Sequence, residues 1–292
     1  MPSRLIINAD DFGLTPGINR SIIELHQAGV LTSATLMATG AAFDDAVVLA
    51  RANPSLGVGC HLVFTDGAPA SPPEHIPSLI GPDGKNFRPS LLHFVRALLS
   101  GQIREEDLVR EAYAQIARLQ QAGIRITHVD THKHTHLFPA VARPLLSVLQ
   151  QASIGAIRNP FEPDFTQRLA HADFKRRMQI NLLNRLQPSF TRHPQIENRA
   201  VVTTAGTVGV SATGNLNAET LAEILNSLPD EGSFELVCHP GYNDRDLDRV
   251  TTRLRSHREV EMKALLAAIP ERLAQPNAPA LIHFGSLQPA HT

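Results

Sequence analysis

Arg4-Leu5-Ile6-Ile7-Asn8-Ala9-Asp10-Asp11-Phe12-Gly13-Leu14-Thr15-Pro16 reads as a short apolar run, an acidic pair and a helix start. Arg4–Ala9 has the length and aliphatic character of a buried strand. Thr15-Pro16 fits an N-cap followed by proline at the first helical position. Ile18, Ile22, Leu25 and Ala28 then recur at helical spacing, and Gly29 stands where a helix-ending glycine belongs. One β-α unit is complete, with its two carboxylates at the carboxyl end of the strand.

The rhythm continues along the chain. Thr32–Ala38, Gly57–Val63, Ile124–Asp130, Ile154–Arg158, Phe234–Cys238 and Ala280–Phe284 read as strands. Asp44–Ala52, Leu108–Ala122, Pro139–Gln151 and Val250–Ala268 read as helices between them. Such alternation predicts an α/β fold with a parallel sheet flanked by helices, and the strand count and length favour a (β/α) barrel, irregular or incomplete, over an open sheet. Functional groups then belong at the carboxyl ends of the strands. Asp10-Asp11, His61, Asp130–His136, Arg158 and His239 all fall there. The expectation is one catalytic domain over residues 1–292, with insertions near 67–89 and 161–213. The first is a proline-rich loop. The second contains the basic Lys175-Arg176-Arg177, read as a solvated helix face.

Composition narrows the function classes. The balance of 27 Lys+Arg against 28 Asp+Glu provides no global field for nucleic acid or an anionic membrane. No run approaches a membrane span, and Met1-Pro2-Ser3-Arg4 leads into a strand without a signal-peptide core, so a cytoplasmic location is expected. The two cysteines, Cys60 and Cys238, make no disulfide framework. Each precedes a candidate histidine and, by strand alternation, faces the flanking helices. The 14 histidines turn attention to metals and proton transfer.

His128-Val129-Asp130-Thr131-His132-Lys133-His134-Thr135-His136 concentrates that chemistry. If the segment leaves a strand in extended form, His128, Asp130, His132, His134 and His136 share one face. Each imidazole there needs a hydrogen-bond partner or a metal. Asp10 and Asp11 cannot both face inward from a regular strand, but both reach one site where Phe12-Gly13 turns the chain. One carboxylate can then ligate a cation while the other takes a proton from water. A helix cap followed by a solvated acid is the competing reading. Taken singly, His61 also reads as a hydrogen-bonded core residue, His239 as turn packing before Pro240-Gly241, and Arg158 as half of a salt bridge. An arginine at a strand end can also hold a carboxylate by a two-pronged bond and lower its pKa.

Ala9-Asp10-Asp11-Phe12-Gly13, Gly59-Cys60-His61-Leu62, the His128–His136 stretch and Cys238-His239-Pro240-Gly241 occur together and in this order over most of the chain. In this the chain resembles the YdjC-like carbohydrate deacetylases, a group that includes chitooligosaccharide deacetylase and hopanoid-associated deacetylases. The resemblance implies a distorted, TIM-like (β/α) barrel, a divalent metal ion, and hydrolysis of the N-acetyl group of an amino sugar. By the same resemblance Asp11, His61 and His132 are metal ligands, Asp10 is the general base and His239 the general acid. Arg158 braces the catalytic aspartate, and His134 and His136 line the substrate pocket. Two imidazoles with a carboxylate suit Zn²⁺, Mn²⁺, Fe²⁺ or Co²⁺ better than Mg²⁺ on donor chemistry; the resemblance points to Zn²⁺ or Mg²⁺, with Mn²⁺ or Co²⁺ open. The expected partner is a small N-acetylated sugar or glycoconjugate, and homo-oligomers stay open. The alternative is a catalytically silent protein that binds metal and sugar through the same pocket.

Overall fold

Alternate side chains of a strand point to opposite sides, and in this chain the two sides carry different chemistry. The structure, a computed structural model, describes residues 3–167 and 181–287. In chain order it holds β1 (Arg4–Phe12), α1 (Pro16–Gln27), β2 (Ser33–Leu36), α2 (Phe43–Ala52), β3 (Gly57–Leu62), α3 (Leu91–Leu99) and α4 (Glu105–Gln121). There follow β4 (Val129–Thr131), α5 (Pro139–Gln151), β5 (Gly206–Val208), α6 (Ala218–Asn226), β6 (Ser233–Cys238), α7 (Ser256–Leu273) and β7 (Ala280–Leu281). Thr15 caps α1 by accepting the Ile18 amide, and Pro16 takes the first helical position as its sequence requires.

Pairing among these strands is parallel throughout, in the order β4-β3-β2-β1-β6-β5, with β7 against Arg4 and Leu5 of β1. Single parallel bridges from Val129 to Ile157 and from Ala156 to Val202 carry the curl past β4. The outcome is the expected distorted, TIM-like α/β barrel. Several boundaries differ from the sequence reading. The strand expected over Ile154–Arg158 is reduced to its two bridge residues, and the last one stops at Leu281 before a 3₁₀ turn, Phe284–Leu287. The final long helix begins at Ser256 rather than Val250, because another 3₁₀ turn, Leu247–Arg249, precedes it. Helices α3 and α6 and strand β5 had no counterpart in that reading. Lys175-Arg176-Arg177 lies outside the described residues. Among the described residues no helix is long and apolar enough to cross a membrane.

The outward faces of the strands build the main core. Leu5, Ile7 and Ala9 of β1, Val58, Cys60 and Leu62 of β3, and Phe234, Leu236 and Cys238 of β6 pack there with Ile18, Ile22 and Leu25 of α1. Each fully buried aliphatic side chain contributes about 1.5–3 kcal/mol. Both cysteines lie in this layer, as the alternation predicts. The inward faces are polar, carrying Asn8, Asp10, Thr35, His61, Asp130, Arg158, Thr207 and Glu235, all buried. Toward the amino-terminal end of the barrel the interior turns apolar, where Ile6, Ala156 and Phe284 form a separate small cluster.

His128 marks the boundary between these zones. Its ring stacks on Phe284 at 3.8 Å between centroids, and it lies flat against Gly59. A Cβ on Gly59 would stand 2.4 Å from the His128 ring. Gly59→Ala is therefore expected to lower stability by about 1–3 kcal/mol, the usual range for overpacking. An unchanged denaturant midpoint would refute the close approach.

Candidate metal and catalytic site

The aspartate pair is presented by an irregularity in β1. The strand does not end at Ala9, as the sequence suggested, but runs to Phe12. Its register on β2 passes from Ala9–Ala34 to Phe12–Leu36, so Asp10 and Asp11 together stand opposite Thr35. This bulge places Asp11 at φ 66°, a left-handed conformation that aspartate tolerates better than most residues. Asp10 keeps its inward direction and Asp11 is turned into the same space. Both are buried.

Asp11 meets two histidines. Its Oδ1 lies 3.8 Å from His61 Nε2 and 3.6 Å from His132 Nδ1, and the two nitrogens are 3.3 Å apart. Ligands about 2.0–2.2 Å from one ion stand roughly 3–3.5 Å from each other, so a small contraction of this triangle would hold a cation. Asp11 Oδ1 is buried without a hydrogen-bond partner, which is costly unless something positive meets it. Its other oxygen, Oδ2, accepts from Arg258 Nη2 at 2.6 Å. Burial raises the Asp11 carboxyl pKa, but Arg258 and His132 outweigh it and hold the group well below the usual range. Burial pushes His132 down to about 3, which leaves a neutral imidazole with a lone pair. His61 Nδ1 is 2.7 Å from Asp130 Oδ1, an arrangement that orients the ring and directs Nε2 to the triangle.

Behind the triangle lies Arg158, fully buried on the inner face. Its Nη1 and Nη2 bind Asp10 Oδ2 and Oδ1 at 2.8 and 2.6 Å. Nε and Nη2 bind Glu235 Oε1 at 2.8 and 2.6 Å, and Nη1 stands 2.5 Å from Asp130 Oδ2. Asp10 also accepts from Asn8 at 3.0 Å and Thr35 at 3.2 Å. For Asp10, burial is opposed by Arg158 and His61, and the carboxyl is held well below its ordinary value. For His61, burial is outweighed by Asp130 and Asp10, and the pKa rises to about 9. Arg158 thus offsets Asp10 and Asp130. Glu235 is left over: burial, only partly opposed by Arg158, raises it to about 7.

His239 follows the end of β6. Its Nε2 lies 3.8 Å from Asp10 Oδ2, and its side chain is 13% exposed and that of His132 22%, so the site opens to solvent at these two histidines. Its amide donates to Glu261 Oε2 at 2.6 Å, from α7. Burial raises the Glu261 carboxyl, with His239 and Arg258 acting in the opposite sense.

The histidine-rich stretch does not stay extended. β4 ends at Thr131, and His132–Leu137 forms a 3₁₀ turn in which Lys133 and His134 have φ of 56° and 51°. The shared face predicted from alternation therefore breaks down beyond His132. His136 is buried and engaged at both ring nitrogens, Nδ1 with the Thr131 hydroxyl at 2.7 Å and Nε2 with the Arg158 carbonyl at 3.2 Å. His134 keeps a buried Nδ1 without a hydrogen-bond partner, within the electrostatic reach of Arg158 and Asp10. His128 belongs to the deeper layer beside Phe284.

Asp11, His61 and His132 are thus brought together, and Asp10, Arg158 and His239 surround them. Sequence reasoning placed Asp130 among the strand-end functional groups without a specific role, and did not single out Glu235, Arg258 or Glu261. A glutamate inside the apolar run Phe234–Cys238 was the available signal for Glu235. Arg258 and Glu261 had none, since α7 is rich in charge on every side.

With this geometry in hand, comparison with known proteins is informative. A family model described as YdjC-like protein matches residues 4–274. A carbohydrate deacetylase of Brevibacillus brevis is 30% identical over 284 residues, 97% of this chain and 99% of that protein. One of Mus musculus is 31% identical over 253 residues, 82% and 78% of the two chains. The crystal structure of a proposed cellobiose-phosphate cleavage protein from Enterococcus faecalis V583 superposes with a TM-score of 0.80 at 25% identity, covering 99% of this chain and 100% of that one.

Two outcomes follow from the charge arrangement. Arg158→Met leaves three carboxylates buried around an apolar side chain and is expected to destabilise the fold by about 3–5 kcal/mol in chemical denaturation. A near-wild-type midpoint would show that the barrel interior tolerates the loss. Glu235 binds its proton more tightly when folded. Its contribution to stability is complete below its ordinary pKa of 4.5 and is lost as pH rises through about 7. Glu235→Gln should therefore gain stability relative to wild type between pH 5 and pH 8. A pH-independent difference would contradict the raised pKa.

Proposed function

The chain belongs to the YdjC-like family, and from that premise we propose that it is a metal-dependent carbohydrate deacetylase, a hydrolase that removes the N-acetyl group of an amino sugar or glycoconjugate and releases acetate. The observation that carries this reading is the division of the adjacent aspartates. Asp11 contributes Oδ1 to a donor triangle with His61 and His132, whereas Asp10 is held off it by Arg158. A protein that only bound metal and sugar would have no use for an unligated carboxylate beside the ion. The names of the relatives from Brevibacillus brevis and mouse support the same reaction.

Asp11, His61 and His132 would hold one divalent cation. When bound, it would supply Lewis-acid polarisation of the acetyl carbonyl and make a water molecule easier to deprotonate. Asp10 takes the proton of the attacking water, kept ionised and oriented by the two-pronged bond from Arg158. As the C–N bond breaks, His239 Nε2 gives its proton to the departing amine nitrogen. His134, with its unengaged Nδ1, is the substrate-facing candidate of the histidine stretch; His136 is tied into the fold at both nitrogens. The donor set favours Zn²⁺, Mn²⁺ or Co²⁺ over Mg²⁺.

The test is acetate release from N-acetylglucosamine, short chitooligosaccharides and a glycosyl-lipid mimic, by chelated protein and by protein reloaded with Zn²⁺, Mg²⁺, Mn²⁺ or Co²⁺. Release is expected only after reloading. Asp10→Asn should lose at least about 10²-fold in kcat with metal content intact, the lower end of what general acid–base groups contribute. Asp11→Asn should lose metal and activity together. Full metal-dependent activity in Asp11→Asn would sink the ligand assignment, and stoichiometric metal without release from any substrate would favour a binding protein.

A further inference from the structure

We propose that Glu261, on α7, is the positioning residue that orients the His239 imidazole for proton transfer to the leaving amine. The inference rests on the assignment of His239 as proton donor. Three observations carry it. Glu261 is 1% exposed, yet its carboxylate is directed at the backbone and ring of His239 rather than at solvent. Its Oε2 accepts the His239 amide at 2.6 Å and lies 3.9 Å from His239 Nδ1. On the opposite edge of the same ring, Nε2 faces Asp10 Oδ2 at 3.8 Å. The imidazole is therefore held between a carboxylate at each nitrogen.

The other groups facing Glu261 offset only part of its charge. Arg258, one turn earlier on α7, opposes part of that charge, but its Nε and Nη2 are engaged by the Leu254 carbonyl and Asp11 Oδ2, and its Nη1 makes no hydrogen bond among the described residues. The Gly214 amide and the His239 amide are neutral donors, and an uncharged glutamine would serve them as well. Burying a carboxylate is costly unless something nearby gains from the negative charge. The group that gains is the His239 ring when it carries a second proton. A carboxylate beyond Nδ1 fixes the Nδ1–H tautomer, stabilises the imidazolium, and leaves Nε2 to face the reacting atoms. The 3.9 Å separation suits a contact that tightens when substrate is bound. No bond changes at Glu261. The proton delivered to the amine leaves from His239 Nε2.

A double-mutant cycle with metal-loaded full-length protein tests this, using acetate release from the N-acetylglucosamine disaccharide. Glu261→Gln retains a carbonyl acceptor for the His239 amide and removes only the charge. It should keep the wild-type melting temperature and metal content and lose about tenfold or more in kcat, a share of the ~10²–10⁴-fold that acid–base groups contribute, with little change in KM. In the His239→Asn background the same substitution should cost nothing further. Equal losses in both backgrounds, or full kcat in Glu261→Gln, would overturn the proposal. If Glu261→Gln does not fold, the imidazole ¹⁵N shifts of His239 in the wild-type protein, assigned by their loss in His239→Asn, decide instead. A proton on Nδ1, in the Nδ1–H tautomer or in the imidazolium that donates from Nε2, supports the proposal, and a neutral ring protonated on Nε2 alone refutes it. Wild-type protein that releases no acetate would undo the deacetylase reading, while the tautomer would still judge Glu261.

Discussion

A guanidinium at the centre of the barrel interior, with Asp10, Asp130 and Glu235 around it, is the constraint on which the rest of the site depends. Interiors of (β/α) barrels are ordinarily filled with branched apolar side chains. Here much of that space goes to carboxylates and imidazoles, which are tolerable because Arg158 stands among them and most of their oxygens find a donor. The apolar outer layer under the helices supplies the stability that this polar interior does not. One consequence is rigidity: Asp10 is held by Arg158, Asn8 and Thr35 at once, and has little freedom to turn toward a cation.

The same network separates two chemically identical neighbours. A regular strand would send Asp10 inward and Asp11 outward. The bulge and the left-handed backbone at Asp11 bring both to one side, and the two arginines then give them different duties. Arg158 takes both oxygens of Asp10. Arg258 takes only Oδ2 of Asp11 and leaves Oδ1 toward His61 and His132. Asp130 serves both halves, bonding His61 through one oxygen and Arg158 through the other, so the donor triangle and Asp10 share a single frame.

Helix α7 closes the arrangement from outside the barrel. Arg258 and Glu261 lie three residues apart, hence on one face of the helix, and reach Asp11 and His239 respectively. A single element thereby supports the proposed metal donor and the proposed proton donor, from positions that neither strand could supply.

By itself the sequence determined the α/β alternation, the placement of functional groups at strand ends, and the association of Asp10, Asp11, His61, His132, Arg158 and His239. These are local properties: apolar period, caps, and polar residues where a strand runs out. It also placed Cys60 and Cys238 under the helices, since alternation is a property of any strand. Tertiary structure alone decided what depends on partners distant in the chain. The extended reading of His128–His136 broke down because a turn with two left-handed residues reverses the path after His132. The aspartates were separated by arginines 148 and 247 positions away. Arg258 and Glu261 left no trace in the sequence because a charged helix looks the same whether a given charge meets water or a buried carboxylate. Spacing along a chain records which side chains share a face; only the folded barrel records what that face meets.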